Sequence, residues 1–521
     1  MFNRLRFPAK HHQLRVPSSH CPKHTSRLYH TTTPTPIAVA KNTRPDHAVR
    51  DEEVTQTAVE GERELILKVM RTIPTQRELR HFLKRYIPPK EVVDSLLRPS
   101  HRHIALTKVQ GPFVPAQLAS VASTLVQLCR LGLTSVVVLE NEEWACVQPN
   151  DPAEEEALRL SMLRESLAIT EAIEKVGGRA RPVTSDVFWE PEGGGWNEIK
   201  SASEGEQDTP TLRASLDLVQ SALRSEQIPI ILPIASFPGS IKRPVPANNA
   251  MVALCRSLAQ PNHVIPASSA ILDSTLLPVK LVVINKEGGI PNHEKPGTAH
   301  SLINLVEEHD GIVHAYRSTP QWHNSHPTAL QNLEMVRYCL ALLPTTSSAI
   351  VVPCASLPHA LISNLITDKP LYSSSLPTNR GGTPHLITTI NTSHATVLRH
   401  GMSIAYHPSM DSVERPAMTA LLEASFGRRL DANAFYERLE RRLVCAIVAG
   451  GYEGAVIVTG EPAVGEVEAE TEVGKYYYLD KFAIAPTSQG IGLTDILWKR
   501  MTDAYPDIMW RSRADNGVNK W

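Results

Sequence analysis

Apolar positions along the chain fall into two rhythms. Between residues 101 and 392, short unbroken apolar runs alternate with stretches of helical spacing. Ile104–Val109 is the first run and ends at Gly111-Pro112. Ser135–Glu140 is the second, and Val136-Val137-Val138-Leu139 leaves no polar face, which predicts a strand buried on both sides. Ile228–Ile234, Lys280–Asn285 and Ala349–Val352 are further predicted strands. Helical spacing predicts helices over Gln117–Leu131, Glu154–Val176, Leu212–Arg224, Asn249–Leu258 and Leu302–Glu308. Apolar strands separated by helices imply an α/β domain, a mostly parallel sheet covered on both faces. The Gly- and Glu-rich stretch Pro191–Pro210 reads as an exposed loop.

Beyond about residue 395 the order changes, and residues 393–521 read as a second domain. Helices are predicted over Ala417–Phe426 and Ala434–Leu443, then strands over Cys445–Ala449 and Ala455–Thr459, joined at Gly450-Gly451. An acidic loop, Glu461–Glu472, leads to a strand over Tyr476–Ala485, a helix from Gly492 to about Ala504, and a strand over Ile508–Arg513. At the other end, residues 46–100 carry Leu65, Val69, Leu79, Phe82 and Leu83 at helical spacing, interrupted by Pro74 and Pro88-Pro89. They read as a helical lead-in.

Composition narrows the function. The formal net charge is −1 and no basic stripe carries interleaved aromatics, so no nucleic-acid partner is expected. The seven cysteines form no CxxC pair, which argues against a zinc cluster or a disulfide framework; no metal is expected. No run reaches the roughly 18 apolar residues of a membrane span. Residues 1–45 hold eight Lys or Arg (Arg4, Arg6, Lys10, Arg15, Lys23, Arg27, Lys41 and Arg44), abundant Ser, Thr and His, and no acid before Asp46. That is the signature of a mitochondrial transit peptide, with Arg27-Leu28-Tyr29-His30 as a candidate cleavage region, and it points to the mitochondrial matrix.

The chemistry concentrates in Tyr476–Met501, which reads as strand, glycine turn and helix. Glycines let a ligand approach the backbone, and the amides and dipole at a helix N-terminus favour an anion. A phosphate or pyrophosphate is the implied ligand. Gln489-Gly490-Ile491-Gly492-Leu493-Thr494 lacks the Gly-Lys-Ser/Thr of a nucleotide loop and the three-glycine spacing of a dinucleotide site. Its Gln-x-x-Gly-x-Thr spacing resembles the coenzyme A loop of the GNAT acetyltransferases. One helix later stands Met509-Trp510-Arg511-Ser512-Arg513-Ala514-Asp515-Asn516. In a regular strand Arg511 and Arg513 share a face, and two guanidinium forks suit a dicarboxylate. On its own the segment also reads as a solvated edge strand.

Tyr-Leu-Asp-Lys-Phe at 478–482, Ser-Gln-Gly-x-Gly at 488–492, Ile-Leu-Trp at 496–498, and Trp-Arg-Ser-Arg-x-Asp-Asn-x-x-Asn-Lys-Trp at 510–521 together resemble the fungal and animal N-acetylglutamate synthases, as does Ala424–Arg428. Residues 101–392 resemble the amino-acid-kinase-like domain that precedes the acetyltransferase domain in that family. The resemblance implies transfer of the acetyl group of acetyl-CoA to L-glutamate, the first step of arginine (ornithine) biosynthesis. It implies inhibition by arginine, a homo-oligomer, and acetylglutamate kinase as a candidate partner. It places glutamate on Arg428, Lys481, Arg511, Ser512, Arg513, Ala514, Asp515 and Asn516. Coenzyme A falls to Phe482, Ile484, Gln489, Gly490, Gly492, Leu493 and Thr494, and catalytic duty to Tyr478 and Asn516. In a regular strand Tyr478 and Lys481 face opposite sides, so sharing the site requires a bulge between them.

The resemblance also implies a leaving-group tyrosine past Trp521, and the expectation is an acetyltransferase domain that is C-terminally incomplete. Lys108-Val109-Gln110-Gly111 carries one glycine of a kinase phosphate loop, and Asn248-Asn249-Ala250 stands for a degraded Asn-Ala-Asp element. A regulatory first domain is therefore expected instead of a kinase. The alternative for the whole chain is a catalytically silent arginine sensor.

Overall fold

A computed structural model describes residues 103–512, apart from 146–151, 192–211, 240, 261–275, 295–296, 358–360, 362–363, 365–394, 463–474 and 490. The transit peptide, the lead-in, nearly all of the Pro191–Pro210 loop, most of the acidic loop, Gly490 and Arg513–Asn516 lie outside the described residues.

An eight-stranded sheet is built on β1 (His103–Gly111), with β2 (Leu133–Asn141) on one side and β9 (Pro278–Asn285) on the other. Both neighbours run parallel to it. The strands read as unbroken apolar runs because both faces are covered. Leu106, Val136, Val138, Leu281 and Val283 enter one core; Ala105, Val109, Val137, Leu139, Val282 and Ile284 enter the other. The first face is closed by α4 (Ala247–Ala259) and α6 (Ala329–Leu342), the second by α1 (Pro115–Arg130) and α2 (Pro152–Lys175).

Several expectations need correction. The run Ile228–Ile234 divides at Pro233, which has no N–H to give a ladder. Ile228–Ile231 (β6) stays in the large sheet, while Ile234–Phe237 (β7) joins a separate four-stranded sheet. Leu212–Arg224 contains a short strand, β5 (Arg213–Ala214); its helix, α3 (Asp217–Arg224), starts later, where Ser215 Oγ takes the Asp217 N–H at 3.4 Å. Leu302–Glu308 opens as β10 (Leu302–Asn304), and α5 then runs over Leu305–Arg317. The sheet also continues past the expected boundary at residue 392, because β12 (Thr396–Arg399) pairs antiparallel with β11 (Ser348–Pro353).

The two segments expected to be remnants of kinase loops meet where β1 packs against α4. Lys108 is 1% exposed, and its ammonium touches Glu140 at 2.5 Å, Asn248 Oδ1 at 2.6 Å and Asn332 Oδ1 at 2.8 Å. A kinase would hold this lysine out to a phosphoryl group; here it is enclosed. Lys108→Met leaves Glu140 without its cation and should cost roughly 3 kcal/mol, read as a lower denaturant midpoint. An unchanged midpoint would show the ion pair to be energetically idle.

A second sheet follows, in the order β13 (Ile404–His407), β14 (Leu443–Ala449), β15 (Gly454–Pro462), β16 (Lys475–Ile484), β17 (Met509–Trp510). It is antiparallel except for the parallel β16–β17 pair. Helices α7 (Arg415–Phe426) and α8 (Ala432–Arg442) cover one face, and α9 (Leu493–Ala504) the other. Asp431 starts α8 by accepting the Ala434 N–H at 3.3 Å.

Helix α9 also joins the two halves. Ile496 packs into the core of the first sheet. Lys499 reaches Glu308 at 2.6 Å, with both side chains largely buried. Beside this pair His300 is 3% exposed, and burial, followed by the Lys499 charge, pushes its pKa down to about 3. The unfolded imidazole takes a proton near pH 6.5, and the folded one only near 3. Stability should therefore fall as pH drops through that window, by up to roughly 1.4 kcal/mol per pH unit. His300→Asn is expected to flatten the acid limb of a stability-versus-pH profile; an unchanged slope would remove His300 as its cause.

Candidate active site

The ladder between β15 and β16 is regular until Ile457 opposes Lys481 and the next residue, Val458, opposes Leu479. Asp480 is the extra residue of a bulge. Directly paired residues share a face, and so do residues two apart. Lys481 opposes Ile457 and Tyr478 opposes Thr459, so the bulge puts Lys481 and Tyr478 on one face. The condition set by the sequence is met.

Strand β17 pairs only through Tyr478–Met509 and Leu479–Trp510. The expected strand over Ile508–Arg513 is thus two residues long, and Arg511 and Ser512 leave it without regular structure. Alternation along a strand therefore does not set Arg511; departure of the chain from β16 does. The two strands part at the bulge.

The parted edge presents backbone donors. Ala485 N–H bonds Glu453 O at 2.8 Å, on the β15 side. Ile484 N–H turns the other way and meets Ser425 Oγ at 3.3 Å. Two residues back, the Phe482 N–H points the same way as that of Ile484, into the gap that β17 has left.

The gap opens into a cleft of about 490 Å³ lined by Arg428, Lys481, Phe482, Thr494, Arg511 and Ser512 among others. Six of the residues singled out in the sequence thus converge on one cavity. Arg428 arrives because α7 stops at Gly427 and the chain turns out of the helix. The sequence reading missed Arg429, Asp480, Trp498 and Trp510 on the same walls. Trp498 lies one helical turn past Thr494 and stacks edge-on against Trp510 at 5.6 Å, a spacing that was present in the sequence without a reason to favour it. Phe482 stands 6.1 Å from Trp498, so this wall is apolar and the Arg428–Lys481–Arg511 side is cationic.

Other expected residues lie elsewhere. Tyr478 shares a face with Lys481 but does not line the cleft. Ile484 and Leu493 are packed into the core beneath α9. Gln489 is exposed and lies off the cleft wall.

Gly492 ends the turn with φ 80° and starts α9. A Cβ built there would sit 3.0 Å from Nε of Arg399, which is 2% exposed. Underneath, a Cβ on Gly454 would lie 2.9 Å from Ile484, Leu493 and Leu497. These two glycines let the helix start sit close to the sheet, with its first amides beside Thr494 and the cleft.

A bulged strand, a parting neighbour, and a glycine turn feeding a helix are the architecture of a GNAT-type acyltransferase, here following a mostly parallel sheet. Residues 405–521 match the family model described as the N-acetyltransferase of N-acetylglutamate synthase. The mitochondrial amino-acid acetyltransferase of Laccaria bicolor is 37% identical over 469 residues, 83% of this chain and 77% of the relative. That of Coprinopsis cinerea is 36% identical, over 83% of this chain and 71% of the relative. A crystal structure of N-acetylglutamate synthase from Neisseria gonorrhoeae, with coenzyme A and N-acetyl-glutamate, aligns over 82% of this chain and 85% of its own at 12% identity and a TM-score of 0.44. The chain belongs to the mitochondrial amino-acid acetyltransferase family.

Proposed function

We propose that the acetyl acceptor is L-glutamate and the acetyl donor acetyl-CoA. The observation that carries this is the convergence of Arg428, Lys481 and Arg511 on one cleft that Phe482, Trp498 and Trp510 also line. Guanidinium and ammonium groups match the two carboxylates of an acidic amino acid. The turn before α9 suits the pyrophosphate of coenzyme A, since Gly492 adds no side chain of its own at the helix start and the Arg399 guanidinium lies close by. Arg513, Ala514, Asp515 and Asn516 complete the acceptor site in this reading, and Gly490 the turn.

Reaction requires the acceptor amine to lose a proton and attack the thioester carbonyl. Negative charge then builds on the carbonyl oxygen. The Phe482 N–H faces the gap where that oxygen would lie and is the natural donor to it. Phe482 and Trp498 exclude water from the acyl side.

The reading extends, on the family resemblance, to the first step of arginine biosynthesis in the mitochondrial matrix, with arginine as inhibitor bound by the first sheet, a homo-oligomer, and acetylglutamate kinase as partner. A substrate panel tests its core. Coenzyme A thiol release from acetyl-CoA should require glutamate and fall at least about 100-fold with glutamine, which leaves a cation without its carboxylate. Equal release with both would overturn the dicarboxylate assignment.

A further inference from the structure

The bulge residue itself has no part in the reading above. Asp480 is a carboxylate with 7% of its side chain exposed, on the wall of a cleft meant for carboxylates. Left alone there it would repel the substrate. It is not alone. Arg438 Nη2, from α8, lies 2.8 Å from Oδ1, and Lys481 Nζ lies 2.9 Å from Oδ2. Both cations also stand over the Phe435 ring, Arg438 at 5.9 Å and Lys481 at 5.6 Å.

Neighbouring residues of a regular strand point to opposite faces, so Asp480 and Lys481 would not meet. The bulge removes that alternation and lets the Asp480 carboxylate reach the ammonium next to it. Lys481 carries three donors. One goes to Asp480 Oδ2 and one to Asp480 O at 3.3 Å. The third is left for a ligand. A lysine stem has four rotatable bonds and holds no fixed direction unless something fixes its head. Two contacts to Asp480 and the aromatic face of Phe435 do so here.

We propose that Asp480, anchored by Arg438, is a positioning residue that fixes the Lys481 ammonium for the acceptor's carboxylate. The proposal rests on the glutamate reading of the cleft. Arg438 draws the Asp480 carboxylate toward α8, which leaves Lys481, and not Asp480, to meet the substrate.

The test is a double-mutant cycle with Asp480→Asn, Lys481→Met and the double variant, measuring glutamate KM, acetyl-CoA KM, kcat and melting temperature. Asp480→Asn should raise the glutamate KM about tenfold or more, with the acetyl-CoA KM within about twofold of wild type. In the Lys481→Met background the same substitution should add less than about twofold, because its effect runs through a lysine already gone. Asp480→Glu should recover most of the loss, and Arg438→Gln should show a smaller shift of the same kind. Multiplying effects in the double variant, or parallel rises in both KM values, would overturn the proposal. So would a fall in melting temperature that accounts for the activity lost. A wild-type protein that turns over no glutamate would instead overturn the underlying reading, and the proposal with it.

Discussion

Replacing Arg511 with alanine is expected to raise the glutamate KM about 100-fold, equivalent to about 3 kcal/mol, and to leave the acetyl-CoA KM within about threefold. The magnitude follows from what a guanidinium gives a carboxylate: two parallel charge-assisted bonds in fixed geometry. Arg511 follows Trp510, the last residue of β17, and lines the cleft. Arg511→Lys keeps the charge but loses the fork, and should recover only part of the loss. The selectivity is the informative feature. Arg511 is exposed, so it is not needed for the core, and its loss should leave the melting temperature unchanged. A glutamate KM that stays put would remove Arg511 from the acceptor site.

Gly492→Val is the second large effect, and its signature is the mirror image. Gly492 sits at φ 80°, a region that a β-branched residue occupies only under strain of roughly 1–3 kcal/mol. The new side chain would also press on Arg399, whose Nε lies 3.0 Å from the nearest possible Cβ. Arg399 is 2% exposed and has little room to withdraw. The start of α9 must therefore shift, and its amides with it. The acetyl-CoA KM should rise about 10- to 100-fold while the glutamate KM moves little. Gly492→Ala, with the same backbone strain and less bulk, should fall between the two. If both variants bind acetyl-CoA normally, this turn does not hold the pyrophosphate.

These opposite signatures matter because the two ligands meet at one cavity. Phe482 and Thr494 line the same cleft as Arg428 and Arg511. A general loss of folding would move both constants together; damage to one half of the cleft moves one.

Much of this site was legible in the sequence, for a physical reason. A strand, a glycine turn and a helix are local events, written in consecutive residues. Tyr476–Met501 therefore announced its elements. The Val136–Leu139 run announced a doubly covered strand, because burial on both faces leaves no polar alternation to misread.

What escaped was non-local. Nothing in Tyr478–Phe482 says that Asp480 is skipped by β15; only the partner strand reveals it. Family resemblance supplied the condition, that Tyr478 and Lys481 share a face, but not the residue that satisfies it. Nor does Met509–Arg513 say that pairing stops at Trp510. The strand propensity of the segment was overridden by separation from β16. The split of Ile228–Ile234 between two sheets had a local marker in Pro233, and the strand at Thr396–Arg399 had only four residues with which to announce itself. The family resemblance gave Leu493 and Ile484 to coenzyme A, and the side chains of both are core, packed together over Gly454.

The enclosed Lys108 bears on the division of labour between the halves. Its ammonium already has three partners, Glu140, Asn248 and Asn332. The first sheet still reaches the second through Ile496 and Lys499, both on the helix that starts at the glycine turn, with Lys499 paired to Glu308 of α5.

The most direct test is a crystal structure of the full chain soaked with coenzyme A and N-acetylglutamate. The expected result is one carboxylate of N-acetylglutamate on Arg511 and the other on Lys481 or Arg428, each within about 3 Å. The acetyl group should lie in the gap between Phe482 and Trp510, with the pyrophosphate at the first amides of α9. N-acetylglutamate bound away from these three cations, or coenzyme A away from the Gly492 turn, would contradict the assignment of this cleft.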